Sequence, residues 1–317
     1  MSVYHTPVLL EESLSGLITN TSGLYIDATF GGGGHSAGIL SRLSPEGRLI
    51  AFDRDSDAIA NKPDDPRITL IHANFRYIYN FLLYRAWQET GSASGMQGAD
   101  GILADLGVSS HQFDTAERGF SFRFDAPLDM RMNKEASSTA ADIVNDSPVA
   151  ELVTIFRLYG EVDNAARMAE LIDKARSNGR IATTFDLNKV LEPALPTFAS
   201  HKTLAKVYQA LRIEVNHEMR SLEKFLDGTV RSLKEGGRIA VITYHSLEDR
   251  MVKNFFRSGN IRGDVEKDSF GCPVVPFKAV TRKPILPQEN EISANTRARS
   301  AKLRIAERIG NGKEDRL

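Results

Sequence analysis

Cysteine is nearly absent from this chain, whose only thiol is that of Cys272. A single cysteine excludes an internal disulfide framework and any zinc site built from four thiolates. The sequence also lacks an apolar run long enough to span a bilayer, and its first residues show no basic segment followed by an apolar core. We therefore expect a cytoplasmic protein without a membrane partner.

An excess of charge of one sign is missing too, since 40 Lys and Arg residues face 41 Asp and Glu residues. Balanced charge does not exclude nucleic acid, because a local basic face is sufficient to bind it. No G-x-S-x-G nucleophile elbow is present, which argues against a serine hydrolase. The histidines lack a spacing that would place two on one face, so no metal is expected.

Four consecutive glycines are the most informative feature that is present. They follow a short apolar strand ending in Asp27, and a helical pattern begins after them. Glycines at such a turn let backbone N–H groups approach a ligand that a Cβ atom would push away. A second strand ends in an acid about 20 positions further on, where a nucleotide-binding βαβ unit holds a ribose diol. The predicted contacts to an adenosine-containing cofactor are Asp27, Gly31, Gly33, Gly34, His35 and Asp53.

The type of cofactor follows from what the loop does not match. A dinucleotide fingerprint, G-x-G-x-x-G, needs a third glycine where this chain has Ser36. Asp27, just before the loop, would repel a pyrophosphate but attract a cationic amino acid. S-adenosylmethionine carries a sulfonium and an α-ammonium group and no phosphate. The loop therefore favours S-adenosylmethionine over a dinucleotide.

Strand-like runs alternate with helical patterns along the chain, which predicts a parallel sheet with helices on both faces. The predicted strands are Leu24–Phe30, Arg48–Phe52, Ile68–Ala73, Gly101–Leu106 and Arg238–Tyr244, followed by an antiparallel pair at Pro276–Thr281 and Ser300–Ile305. The gap before the fifth strand is too long for one crossover and has a helical pattern. The predicted fold class is α/β: a class I (Rossmann-like) methyltransferase sheet, residues 1–112 and 217–317, with an inserted all-helical domain, residues 113–216.

Polar residues at two strand ends are the candidates for catalysis. Asp105 ends the fourth predicted strand, and His245 and Ser246 follow the fifth. Ligands in open α/β sheets bind beyond the carboxyl ends of the strands, so these side chains are predicted to face the cleft. The alternatives are that Asp105 caps the next turn and that His245 and Ser246 cap the next helix. Gln112 is predicted either to contact adenine or to be a solvated loop residue.

Basic residues in three segments are candidates for contact with RNA. Arg123 and Arg131 flank phenylalanines in a segment that either binds phosphates and bases or is a packed loop. Arg212 lies on a predicted helix and either anchors the insertion or approaches the site. A C-terminal segment is basic, and the alternative is a solvated surface strand. Its candidate residues are Arg297, Arg299 and Arg304.

With these motifs placed, the chain resembles the bacterial ribosomal RNA small subunit methyltransferase H family. The resemblance extends in order over nearly the whole chain. The family differs from the amino-methyltransferase signature, and in this sequence Asp105 is followed by Leu-Gly-Val rather than by two prolines and an aromatic residue. The matching blocks include HTPVLLEE (5–12), IDATFGGGGHS (26–36), FDRD (52–55), DLGVSS (105–110), ERGFSFR (117–123), YQALRIEVN (208–216), TYHSLEDR (243–250) and RARSAKLRIAER (297–308).

The resemblance implies methylation of the exocyclic N4 amine of a cytidine in 16S rRNA, at the decoding centre of the small ribosomal subunit, with S-adenosylmethionine as methyl donor. It implies cofactor contacts at Gly33, Gly34, His35, Asp53, Phe75, Asp105 and Gln112. Two other functions remain as alternatives: a methyltransferase acting on a protein or small molecule, and a cofactor-binding ribosome assembly factor without catalysis. The sequence leaves open whether the protein is a monomer or a homodimer.

Overall fold

The computed structural model of the protein, described here for residues 7–310, contains a seven-stranded sheet in the order β3-β2-β1-β4-β5-β7-β6. Strands β1 to β5 are parallel, and β7 pairs antiparallel with both β5 and β6. This arrangement confirms the predicted α/β fold with its antiparallel pair at one edge. The strands are β1 (Leu24–Asp27), β2 (Arg48–Asp53), β3 (Ile68–His72), β4 (Ala99–Asp105), β5 (Leu233–Thr243), β6 (Phe277–Ala279) and β7 (Lys302–Arg308).

The chain divides into two compact units, one formed by the residues up to Gly107 and from Arg220 onward, the other by Val108–Met219. The first unit holds the sheet. Its helices are α1 (Leu10–Leu17), α2 (Gly34–Arg42), α3 (Ser56–Ile59), α4 (Ile78–Thr90), α12 (Ser246–Ser258) and α13 (Glu289–Ala294), together with most of α11 (Glu218–Ser232). The second unit is helical, with α5 (Ser110–Asp114), α6 (Ala140–Asp146), α7 (Val149–Gly160), α8 (Ala165–Arg176), α9 (Thr184–Leu191) and α10 (Ser200–Asn216).

The central strands form because their residues are apolar on both faces, as expected of parallel strands covered on both sides. In β4, the side chains of Ile102, Leu103 and Ala104 are fully buried. β5 begins at Leu233, five residues before the predicted start, and a register shift between Ala99 and Gly101 accommodates the extension. The acids Asp27, Asp53 and Asp105 all end parallel strands, so they meet at one edge of the sheet.

The second unit has a hydrophobic core of its own, which its helices form with their apolar faces. On α10, Val207, Leu211 and Val215 recur at intervals of four residues and are buried. This spacing produces a single apolar stripe on a helix of 3.6 residues per turn. Phe156 of α7 and Met168 of α8 are fully buried in the same cluster. Within residues 7–310, no helix has both the length and the apolar character needed to cross a membrane.

Candidate active site at the carboxyl edge of the sheet

The glycine loop connects β1 to α2 with a backbone that requires glycine at two positions. Gly31 has φ of 53° and Gly33 has φ of 78°, both in the left-handed region. A Cβ atom on Gly33 would also lie 2.9 Å from Cζ of Phe30. Gly34 then begins α2, whose first backbone N–H groups have no partner within the helix. The loop is therefore shaped by backbone geometry to expose N–H groups at a helix start.

Asp53 lies beside this loop at the end of β2. Its Oδ2 accepts a hydrogen bond from the backbone N–H of Gly31 at 2.7 Å, and its Oδ1 accepts one from Asp55 at 2.8 Å. Burial raises the pKa of Asp53, against the effect of these two bonds. A carboxylate has about four acceptor sites, so each oxygen of Asp53 can accept one more hydrogen bond. These two free acceptor positions fit the two hydroxyl donors of a ribose diol.

Asp27 has a different environment from Asp53. Its side chain is fully buried, and its Oδ2 accepts a hydrogen bond from the hydroxyl of Ser36 at 2.7 Å. Its Oδ1 accepts one from the backbone N–H of Thr29 at 3.1 Å. Burial raises the pKa of Asp27, and the charge of His35 acts in the opposite direction. Asp27 thus ties β1 to the first turn of α2 and organises the loop from within.

Asp105, at the end of β4, is held by neighbours on both sides. The phenolic hydroxyl of Tyr244 donates a hydrogen bond to its Oδ1 at 2.8 Å, and Nδ1 of His35 lies 3.7 Å from its Oδ2. The side chain is 24% exposed, so it is open to a ligand. Burial raises the pKa of Asp105 to about 6, although His35 and Tyr244 act to lower it. Asp105 is therefore oriented, accessible and more basic than an ordinary carboxylate.

The remaining predicted cofactor residues, Phe75 and Gln112, lie in different units. Phe75 follows β3, and its ring packs edge-on against Phe225 with centroids 5.1 Å apart. Gln112 belongs to the helical unit and is buried. Its Oε1 accepts a hydrogen bond from the N–H of Ser109, while its own N–H donates to the Ser109 hydroxyl. This reciprocal pair is a capping box for α5.

His245 occupies the N-cap position of α12. Its Nδ1 accepts the N–H of Glu248 at 3.5 Å, and its Nε2 lies 3.0 Å from Oε1 of Glu248. Oε2 of Glu248 in turn accepts the backbone N–H of His245 at 3.4 Å, which completes a capping box, and it also accepts the N–H of Tyr244 at 2.9 Å. The His245 side chain is nearly buried, whereas Ser246, the first residue of α12, is exposed. This geometry favours the capping alternative for His245 over the predicted catalytic role.

Two of the arginines predicted to bind RNA from the helical unit hold internal carboxylates instead. Arg131 forms a two-point contact with Asp129, at 2.9 and 2.7 Å, and donates to the carbonyl of Ala136. Arg212 forms another with Glu218, at 2.9 Å for both bonds. Their guanidinium groups are thus engaged by acids of the same unit, and an RNA contact at these two residues stays a prediction. Arg123 is exposed, next to Phe124, which is 52% exposed.

The C-terminal arginines divide in the same way. Nε of Arg304 donates to Oδ1 of Asp249 at 2.7 Å, with only 13% of its side chain exposed. The pair joins β7 to α12, so Arg304 also has a structural function that its charge alone did not indicate. Arg297 is half-buried, and Arg299 is exposed.

Tyr244 is the functional candidate that the sequence reasoning missed. It directly follows β5 and precedes His245, within the same polar segment. Burial and the adjacent Asp105 carboxylate raise its pKa, so the phenol keeps its proton and stays a donor. A tyrosine at the carboxyl end of a strand next to the one ending in Asp105 is the pattern that could have identified it.

Comparison with known proteins identifies the family of this chain. The model of the MraW methylase family matches residues 2–309. Ribosomal RNA small subunit methyltransferase H from Parabacteroides distasonis is 53% identical over 97% of this chain and 98% of its own. The protein of the same name from Flavobacterium psychrophilum is 53% identical over 95% of this chain and 100% of its own. A solved rRNA methylase from Streptococcus thermophilus is 13% identical, covering 95% of this chain and 94% of its own, with a TM-score of 0.38. The chain belongs to the MraW methylase family.

Proposed function

We propose that this protein transfers a methyl group from S-adenosylmethionine to small-subunit 16S rRNA, at the exocyclic N4 amine of a cytidine in the decoding centre. Family membership and full-length relatives named for small-subunit rRNA methylation support the reaction. The choice of N4 depends on the resemblance noted above. Because the substrate is ribosomal, we propose that the protein acts in the cytoplasm.

The observation that carries the proposal is the set of carboxylates beside the glycine loop at the carboxyl edge of the sheet. Three acids, Asp27, Asp53 and Asp105, surround a glycine loop, an arrangement that favours a cationic ligand over a phosphate. Asp53 keeps acceptor capacity for a ribose, and the loop has the left-handed glycines that expose N–H groups. We propose that S-adenosylmethionine is held by Asp53, Gly31, Gly33, Gly34, His35, Phe75 and Asp105, with Asp27 organising the loop. For Gln112, in the helical unit, a cofactor contact stays a prediction.

When bound, S-adenosylmethionine supplies a methyl group on a positively charged sulfur. The cytosine amine is a poor nucleophile because its lone pair is delocalised into the ring. We propose that Asp105 accepts an amine N–H and turns the nitrogen lone pair toward the methyl group. Tyr244 holds the carboxylate for this contact. With a pKa of about 6, Asp105 is mainly ionised at neutral pH yet basic enough to take a proton.

For the helical unit we propose substrate recognition, and within it an RNA contact at Arg123. The exposed ring of Phe124 beside this guanidinium offers a surface on which a base can stack. In the sheet-bearing unit, Arg299 and Arg297 are the residues we propose to contact RNA. The target base must be flipped out of its stack to enter the site, at a cost of a few kcal/mol.

The test is transfer of radiolabelled methyl groups to small subunits purified from cells that lack the protein. Digestion of the rRNA to nucleosides and mass analysis should identify N4-methylcytidine. Label in protein alone would support the alternative of a protein methyltransferase. Cofactor binding by calorimetry without any transfer would support the non-catalytic assembly factor. The D53A variant, folded but defective in cofactor binding, is the matched control.

A further inference from the structure

His35 has a defined tautomer because of what its two ring nitrogens face. Nε2 lies 3.1 Å from the carbonyl oxygen of Val8, which can only accept a hydrogen bond, so Nε2 carries a hydrogen. In the neutral ring, Nδ1 then has a lone pair and no hydrogen. That lone pair faces Oδ2 of Asp105 at 3.7 Å. Nδ1 of the neutral His35 ring and Oδ2 of Asp105 are both acceptors, so one additional proton can be held between them.

The other groups around Asp105 leave His35 as the one suited to receive a proton from it. Tyr244, after β5, already donates its hydroxyl proton to Oδ1. Asp27 on β1 and Glu248 on α12 are acids whose negative charges raise the pKa of Asp105. Both oxygens of Asp27 already accept hydrogen bonds, from Ser36 and from Thr29, so Asp27 is not placed to take a proton from Asp105. Glu248 caps α12 through the N–H of Tyr244.

We propose that Nδ1 of His35 takes over the proton that Asp105 accepts from the substrate amine, so that His35 acts as a proton relay. The step depends on the proposed methyl transfer. An N–C bond forms as the methyl–sulfur bond breaks with its electron pair left on sulfur. The amine N–H bond then breaks with its pair kept by nitrogen, and the proton passes to Oδ2 of Asp105 and on to Nδ1 of His35. The imidazolium returns it to solvent through Asp105, which is partly exposed.

The variant that isolates this role is H35Q. The glutamine side-chain N–H can still donate to the Val8 carbonyl, whereas the acceptor at the Nδ1 position is lost. General acid–base contributions are typically 100- to 10,000-fold, so we expect the single-turnover rate to fall about 100-fold or more. Because His35 is also a proposed cofactor contact, the affinity for S-adenosylhomocysteine is measured by calorimetry beside the rate, and the rate should fall by a much larger factor than the affinity.

The matched control is H72Q. His72, at the end of β3, also has its Nε2 near a backbone carbonyl, that of Arg54 at 3.3 Å, but it is exposed. H72Q should transfer methyl groups at the parental rate. An H35Q variant that also does so would overturn the relay.

A second measurement uses the unmodified protein and needs no activity. Nitrogen NMR of the ligand-free protein labelled in histidine should show His35 with hydrogen on Nε2 rather than on Nδ1 whenever the ring is neutral. A neutral His35 with hydrogen on Nδ1 instead would overturn the inference even if H35Q did not fold. If the parental protein transferred nothing to small subunits, the proposed function would fail, and this measurement would still test the tautomer.

Discussion

The pair of Arg304 and Asp249 provides a test of whether the C-terminal basic segment is structural or binds RNA. The side chain of Arg304 is 13% exposed and that of Asp249 is 15% exposed, and Nε of Arg304 lies 2.7 Å from Oδ1 of Asp249. Although burial acts to raise it, the hydrogen bond and charge of Arg304 keep the pKa of Asp249 below its usual range. R304A removes that partner and leaves a largely buried carboxylate.

The size of the effect can be bounded from the geometry. Removing one partner of a buried ion pair costs about 3–5 kcal/mol. Lys302, whose Nζ is 3.4 Å from Oδ2 of Asp249, remains as a weaker partner and reduces this cost. We therefore expect R304A to lower the free energy of unfolding of the sheet-bearing unit by about 2–3 kcal/mol, measured by urea titration. D249N combined with R304A should recover part of the loss, since no unpaired charge is left.

The control is R299A, which changes an exposed arginine on the same segment. We expect R299A to unfold like the parental protein but to bind small subunits more weakly, with a smaller dependence on salt, because fewer counterions are released. R304A should show the opposite pattern. If R304A were as stable as the parental protein and lost subunit binding instead, the structural function of Arg304 would be refuted.

Four further changes test the rest of the site. D53A should weaken binding of S-adenosylhomocysteine about tenfold or more, since charged hydrogen bonds contribute about 1.5–3 kcal/mol each; unchanged calorimetry would remove Asp53 from the site. G33A should lower both melting temperature and cofactor affinity, because φ is 78° and the new Cβ meets Phe30; an unaffected melting curve contradicts this. H245A should lower the melting temperature while activity per folded molecule is kept, as for a lost helix cap; the reverse would restore its catalytic role. D105N should lower single-turnover transfer about 100-fold, and the parental rate should rise with pH through about 6, where Asp105 ionises; a rate independent of pH between 5 and 7 would exclude Asp105 as acceptor.

The centre of the sheet was predictable because β1, β2 and β4 are mainly apolar and each ends in an aspartate. Buried parallel strands need apolar residues on both faces, so their sequence pattern is strong. The ends of β2 and β4 were predicted to within one residue for this reason. β5 was predicted too short, since its first residues, Lys234 to Gly236, are polar or glycine and are exposed in the structure.

The function of individual arginines could not be predicted, because sequence shows a charge but not its partner. Arg304 meets an acid 55 positions away, and that pairing exists only once β7 lies beside α12. Arg212 meets Glu218 six positions further along the chain, beyond the end of α10. Charge clustering in the sequence therefore does not distinguish an arginine that pairs with an acid of the fold from one that is exposed.

The segment after β5 shows how far local patterns can separate capping from chemistry. His245 and Glu248 have the three-residue spacing of a capping box, so the capping alternative was already readable from sequence. The contact of Tyr244 with Asp105 was not, because it joins residues 139 positions apart that become neighbours only when β4 and β5 pair. Tyr244, which contacts Asp105, is therefore the residue of this segment whose function the sequence pattern indicates least. A phenol that keeps its proton can orient a carboxylate at any physiological pH, which a histidine in the same place could not do.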